Sequence, residues 1–166
     1  MEEIRYQINM VYSLAMLKKS VFRYWKRALG WRYFIAMLFI GFCFVSAIIK
    51  GDTSWMMGAF AVIFTAGILF GISVYLNNRY HVLGTFNALQ NPTVTFKVYD
   101  EKFALASELG EGEWPWTAIK EIWRYHDTWL VFLARASYAT FPLDTIPAEA
   151  QSFILEKVHE AGGRIC

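Results

Sequence analysis

Residues 33–78 read, in three consecutive pieces, YFIAMLFIGFCFVSAII, KGD and TSWMMGAFAVIFTAGILFGISVYLNN. The first and third pieces carry no charged side chain over 17 and 26 residues. A bilayer core about 30 Å thick requires ~20 mostly apolar helical residues. Both pieces therefore predict transmembrane helices, at 33–49 and 54–78. Because only three residues separate the two runs, the helices must form an antiparallel hairpin.

The charges are distributed unevenly around this hairpin, although the net charge of the chain is only +2. Residues 1–32 hold seven basic and two acidic side chains, whereas residues 93–166 hold seven basic and eleven acidic ones. Basic flanks of transmembrane helices are retained in the cytoplasm. We therefore expect a two-span membrane protein with both termini cytoplasmic and Gly51 outside. The first apolar run begins past residue 30, so we interpret it as a retained anchor rather than a signal peptide.

The segment before the hairpin predicts a strand followed by a basic helix. Residues 3–9 alternate between apolar and polar side chains, which is the period of a strand. Residues 11–29 have the period of a helix, with an apolar face and a basic remainder. Such a helix suits the lipid headgroup layer. It would sense lipid or dock a partner, or it would simply continue into the first span and set its orientation. The candidate membrane-surface residues are Lys18, Lys19, Arg23, Lys26, Arg27 and Trp31.

Within the second run, Gly67 and Gly71 form a small-x-x-x-small spacing. Such spacings let transmembrane helices approach closely. We expect the two helices of the hairpin to meet here, and homo-oligomerisation of separate chains through the same glycines is the alternative. The spans contain no ionisable acid, base or histidine, which argues against a proton or ion pathway.

The sequence after the second run changes from helix to strand. Residues 77–90 predict a helical exit from the membrane that Asn91-Pro92 stops. We expect strands at 94–98, 102–106, 129–134 and 138–143, with a loop at 109–113 and a turn at 124–128. The closing helix is expected at 148–161, because Pro147 favours its start and Gly162-Gly163 its end.

Residue types that carry chemistry are scattered in this chain. Its three histidines are far apart, its cysteines are Cys43 and Cys166, and no metal-ligand spacing occurs. The acidic balance of residues 93–166 disfavours nucleic-acid binding. We therefore predict a non-enzymatic protein without a cofactor or metal.

Two features of the region after the hairpin remain as leads toward a partner. The acidic stretch with Glu108, Glu111 and Glu113 is interpreted as a flexible charged loop rather than a calcium site. Four tryptophans lie between residues 114 and 129. Large aromatic side chains supply much of the core of a small domain, so most of these should be buried, while one or two would form an exposed patch. The candidate partner patch is Trp114, Trp116, Glu108, Glu111 and Glu113.

The layout of the whole chain resembles the YcxB-like family of bacterial membrane proteins. The resemblance is carried by Val94-Thr95-Phe96, by Gly112-Glu113-Trp114-Pro115-Trp116-Thr117-Ala118-Ile119, by Trp129-Leu130-Val131-Phe132-Leu133 and by Ile146-Pro147. The chain departs from the family pattern where residues 141–145 precede Ile146-Pro147. The resemblance implies a pleckstrin-homology-like cytoplasmic domain, and it implies no biochemical activity.

The expected architecture is an α+β membrane protein. Residues 1–32 supply a strand and a basic juxtamembrane helix, residues 33–78 the hairpin, and residues 79–166 an antiparallel pleckstrin-homology-like sheet domain closed by a C-terminal helix. We expect this domain to bind a protein partner or lipid headgroups. The alternative function is that of an immunity protein, which neutralises a bacterial toxin by direct contact.

Overall fold

The computed structural model describes residues 4–51, 53–88, 91–133 and 138–166. In these ranges the helices are α1 (Leu14–Ile49), α2 (Trp55–Ala88) and α3 (Ala148–Glu160). The strands are β1 (Tyr6–Val11), β2 (Thr93–Val98), β3 (Lys102–Ser107), β4 (Gly110–Pro115), β5 (Ile119–Arg124), β6 (Thr128–Leu133), β7 (Tyr138–Pro142) and β8 (Arg164–Ile165). Two long apolar helices followed by an antiparallel sheet and a C-terminal helix are therefore confirmed.

The chain forms two compact units. The β unit consists of Met1–Ser20 and Thr85–Cys166, and the helical unit of Val21–Gly84. These bounds differ from the expected boundaries after residues 32 and 78, because the start of α1 and the end of α2 belong to the β unit.

The β unit contains two four-stranded sheets. The first has the order β1-β2-β3-β4 and the second the order β7-β6-β5-β8. β1 pairs antiparallel with β2, with Ile8 opposite Phe96, although 81 residues, most of them in α1 and α2, separate the two strands. The strand before the helices thus completes a sheet formed after them. The short strand β8, which no sequence pattern indicated, runs parallel to β5.

Apolar side chains of both sheets meet in one core. Ile8 and Met10 of β1 are buried, while the alternating Gln7 and Asn9 are exposed, as the strand period requires. α3 covers the core with Ala150, Ile154 and Val158, which recur every four residues on one helical face and are fully buried. The largest buried side chains around them are Phe96, Phe103, Trp129 and Phe141.

The expected loop at 109–113 is wrong, because residues 110–115 form β4. The β3–β4 connection is tight, with Gly110 at a φ of 138°, a conformation that side chains other than glycine rarely adopt. β4 then pairs with β3 along its whole length, from Gly110 opposite Ser107 to Pro115 opposite Lys102. Strands β1, β2, β3, β6 and β7 lie within a few residues of their expected bounds, whereas β5 was not expected as a strand of its own. Residues 134–137 lie outside the described ranges.

In the helical unit, α1 is interrupted at Gly30, where φ is 72° and ψ is 161°. Trp25 and Phe34, on either side of this residue, have ring centroids 5.5 Å apart. In a continuous helix nine residues would separate them by about 13.5 Å along the axis. The basic helix therefore bends back at Gly30 and does not continue straight into the apolar helix.

The apolar part of α1 packs antiparallel against α2. Gly41 lies beside Phe64, whereas Tyr33, two turns earlier on α1, lies beside Gly67 and Gly71. Both helices are long enough and apolar enough to cross a membrane, judged by length and composition.

Candidate functional site

The helices of the helical unit expose large apolar side chains on most of their surface. Leu38 is 76% exposed, Ile49 80% and Trp55 83%. A helix that is apolar on all sides requires an apolar environment, either lipid or protein. This surface is the first candidate functional site of the molecule.

Two side chains of α1 donate hydrogen bonds to backbone carbonyls of α2. The indole Nε1 of Trp25 donates to the carbonyl oxygen of Gly71 at 2.7 Å. The hydroxyl of Tyr33 donates to the carbonyl oxygen of Gly67 at 2.7 Å. The carbonyls are accessible because neither glycine has a side chain: a Cβ at Gly71 would lie 2.6 Å from the Tyr33 hydroxyl, and one at Gly67 would overlap Met37. Both glycines thus face the partner helix of their own chain, and oligomerisation through them stays a prediction.

An apolar groove runs beside this contact, with a volume of about 430 Å³. One end is lined by Trp25, Tyr33 and Gly71, and the other by Gly41 and Phe64. The remaining lining side chains are Phe34, Met37, Leu38, Ile68 and Ile72.

The six candidate membrane-surface residues differ in their surroundings. Lys18, Lys26, Arg27 and Trp31 are exposed, and Arg23 is half-buried. Lys19 forms an ion pair with Asp127, in the β5–β6 turn, with Nζ and Oδ2 2.6 Å apart. Both residues belong to the β unit, so Lys19 already has an acidic partner there.

The acidic residues of the candidate partner patch lie on an ordered hairpin. Glu111 pairs with Lys97 at 2.7 Å, and Glu113 pairs with Lys102 at 2.8 Å. In the strand register, Ala104 of β3 lies between Lys97 of β2 and Glu113 of β4. Glu108 accepts a hydrogen bond from the backbone N–H of Asn91 at 3.2 Å. The interpretation as a flexible loop is therefore wrong, because Glu111 and Glu113 lie on β4 and pair with sheet lysines.

The tryptophans of the same patch divide between the core and the surface. Trp116 is only 4% exposed, and its Nε1 donates to the carbonyl of Tyr99 at 3.3 Å. Trp114 is half-buried and stacks on Phe103, with ring centroids 5.8 Å apart. Of the two, only Trp114 has surface to offer a partner.

Among the described residues of the β unit, Arg5, Tyr12 and Lys97 have shifted pKa values. The hydrogen bond that Arg5 donates to Asp100 raises the pKa of Arg5. The hydrogen bond that Lys97 donates to Glu111 raises the pKa of Lys97. Burial raises the pKa of the Tyr12 phenol, because the charged phenolate loses its hydration. The cationic state of both basic groups is thus favoured, and Tyr12 is held neutral.

Several residues of these surfaces were missed by sequence reasoning. The ion pairs of Lys97, Lys102 and Asp127 could be recognised only in the folded chain, because each joins residues at least 11 positions apart. The hydrogen bonds of Trp25 and Tyr33 to glycine carbonyls of α2 also have no local sequence signal.

Among the described residues, no three His, Cys, Asp or Glu side chains come together as a metal site would require. The residues that do come together form an apolar helical surface, a groove and a set of surface ion pairs. Comparison of the chain with protein-family models, with curated proteins and with solved structures finds no match.

Proposed function

We propose that this chain is a non-enzymatic, two-span protein of a bacterial inner membrane that displays its β unit on the cytoplasmic side. There the β unit serves as a pleckstrin-homology-like binding domain for a protein partner or for lipid headgroups. The observation that carries the proposal is the pairing of β1 with β2 around the two helices.

This pairing supports an even number of membrane crossings. β1 ends three residues before α1 begins, and β2 begins five residues after α2 ends. Both strands belong to one sheet. The start of α1 and the end of α2 must therefore lie on the same side of any membrane that the helices cross. The basic flank of residues 18–32 favours the cytoplasmic side for that sheet.

The architecture of the β unit supports the comparison with a pleckstrin-homology domain. Strands β1–β4 form one sheet, β5–β7 form most of the other, and α3 packs on the core between them. Domains of this kind are binding modules in many unrelated proteins, so the fold supports binding in general and no single ligand.

The surface that best fits a protein partner is the outer side of β4, the last strand of its sheet. Edge strands present unpaired backbone groups that a partner strand can use. Half-buried Trp114 and exposed Glu113 lie on this strand. Lys97 and Lys102 balance the carboxylates of β4, so contact there would depend on shape and backbone pairing more than on net charge.

Membrane location and orientation are tested with reporters in the full chain. An enzyme that is active only after export should be inactive when fused after Cys166 and active when inserted at Gly51, and the protein should resist alkaline extraction from membranes. Activity of the Cys166 fusion would overturn the orientation, and release by alkali would overturn the membrane location.

Binding by β4 is tested with a photo-crosslinking residue at position 113. We expect a specific adduct from this position and none from position 156, an exposed site on α3 that serves as the control. Equal labelling from both positions would refute a β4 binding surface. The immunity hypothesis stays a prediction that no observation here favours.

A further inference from the structure

We propose that the groove between α1 and α2 binds one anionic phospholipid, with an acyl chain between the helices and the headgroup beside Arg32. The inference rests on the proposed membrane location and adds a ligand to it. Three observations support it: the groove has an apolar lining, the polar side chains in that lining already donate hydrogen bonds within the chain, and basic residues lie next to one end.

The groove offers its occupant mainly apolar contacts along α1 and α2. From Tyr33 to Gly41 it follows about 12 Å of α1, at 1.5 Å per residue. The donors that line it are Trp25 Nε1 and the Tyr33 hydroxyl, and both already donate to carbonyls of α2. A polar ligand would have to break these bonds, whereas a hydrocarbon chain would leave them intact.

The same geometry disfavours a second helix in the groove. Close helix packing in membranes uses small residues that let backbones approach. Here Gly41, Gly67 and Gly71 are already covered by Phe64, Met37 and Tyr33 of the same chain. The outer walls are large, partly exposed side chains such as Leu38 and Ile72. A thin, flexible acyl chain fits between such walls better than a rigid helix.

The charges select an anionic headgroup. The end of the groove at Tyr33 is one residue from Arg32, which is exposed, and Trp31 beside it is 70% exposed. In the sequence of residues 21–84, basic side chains at 23, 26, 27, 32 and 79 flank the two apolar runs on the side of Tyr33, and the single acidic residue, Asp52, lies between the two runs. Within this unit, the sequence next to Tyr33 therefore supplies basic and no acidic side chains to a headgroup.

The test uses the full chain purified from bacterial membranes and native mass spectrometry in micelles. The probes are phosphatidylglycerol and phosphatidylcholine, supplied at equal concentration. We expect one retained lipid per chain, with phosphatidylglycerol preferred. Arg32→Gln should reduce this preference about fivefold, the effect of one basic side chain near an anionic surface.

The variant Ile68→Trp places a large side chain in the groove and should abolish retention. Leu69→Trp is the matched control, because Leu69 is the next residue of α2, does not line the groove and is 61% exposed. Equal retention by the two variants, no retained lipid, or a dimer that only Ile68→Trp disrupts would each overturn the proposal. Resistance to alkaline extraction, measured in parallel, separates failure of this site from failure of the membrane location.

Discussion

Gly30 has a backbone conformation that is almost restricted to glycine. Its φ of 72° and ψ of 161° fall in a region where a side chain costs of order 1–3 kcal/mol. We expect Gly30→Ala to lower the melting temperature of the full chain in detergent micelles, since no other atom lies within 4 Å of the added methyl to compensate for the strain. Gly84→Ala is the control: it lies in α2, also in open space, but its φ is not positive. An unchanged melting temperature for Gly30→Ala would show that α1 tolerates another conformation there.

Tyr12 makes the stability of the β unit sensitive to alkaline pH. Its pKa is raised by burial, whereas in the unfolded chain it ionises near its ordinary value of about 10. The contribution of the neutral Tyr12 phenol to the free energy of unfolding is fully present below pH 10. It is lost as the pH rises above 10, by up to about 1.4 kcal/mol per pH unit. We expect Tyr12→Phe to flatten this loss in denaturant titrations between pH 8 and pH 11.

The matched control for this titration is Tyr125→Phe, at a half-buried tyrosine in the β5–β6 turn. It removes a phenol without altering the environment of Tyr12. If Tyr12→Phe and the unmodified chain lose stability in parallel above pH 10, another group is responsible for the alkaline effect.

The contact between α1 and α2 depends on two glycines that differ in what they face. A Cβ at Gly71 meets the hydroxyl of Tyr33, which a hydrogen bond holds in place, whereas one at Gly67 meets the flexible side chain of Met37. We expect Gly71→Ala to destabilise the helical unit by about 1–3 kcal/mol, as overpacking does. Gly67→Ala should lower the free energy of unfolding by less. Gly58→Ala should leave it unchanged, because a Cβ at Gly58 would have no other atom within 4 Å.

A double-mutant cycle in micelles measures this contact. Tyr33→Phe removes the hydroxyl that the new methyl meets, so its cost should be smaller in the Gly71→Ala background than alone. Additive costs would mean that Tyr33 and Gly71 are not in contact.

The elements show which parts of the fold could be predicted from sequence. The hairpin, β1 and α3 were predicted because their apolar periodicity matches a helix or a strand over many residues. β4 was missed because glycine and glutamate disfavour strands, and only its pairing with β3 and with sheet lysines overrides that preference. The interruption at Gly30 was missed because a glycine between helical residues carries no sign of its φ.

The candidate site was predicted only in part, because composition indicates local features whereas ion pairs and burial depend on tertiary structure. The basic helix and its exposed Lys18 and Trp31 followed from composition. The ion pair of Lys19 with Asp127 spans 108 residues and depends on tertiary structure. Sequence could not distinguish buried Trp116 from half-buried Trp114, because the difference depends on where β4 ends. Trp114 lies on the strand, whereas Trp116 follows Pro115 in the next turn.

At the level of the whole molecule, β1 contributes much of the stability of a domain formed later in the chain. Ile8 and Met10 are 5% and 0% exposed, and burial of each is worth roughly 1.5–3 kcal/mol. Their sum, about 3–6 kcal/mol, is a large fraction of the ~5–15 kcal/mol by which domains are stable. We expect residues 93–166 alone to be poorly folded, and residues 1–10 attached through a flexible linker to restore cooperative thermal unfolding.

The control for this rescue carries Ile8→Ser and Met10→Ser in the attached segment, which keeps the backbone of β1 but removes its buried side chains. It should fail to rescue. A cooperative transition in the bare fragment would refute the requirement for β1.

The pairing of Tyr6 with Val98 also sets an order of events on the ribosome. The two residues are 92 positions apart, and at ~5–20 residues per second the nascent chain presents β1 for roughly 5–18 s before its partner strand exists. During that interval both apolar helices are made while the sheet is still incomplete, and with the proposed membrane location they would insert before the sheet closes. The sheet therefore forms only after both helices have been synthesised, and until then β1 is an unpaired strand of the kind that is prone to aggregation.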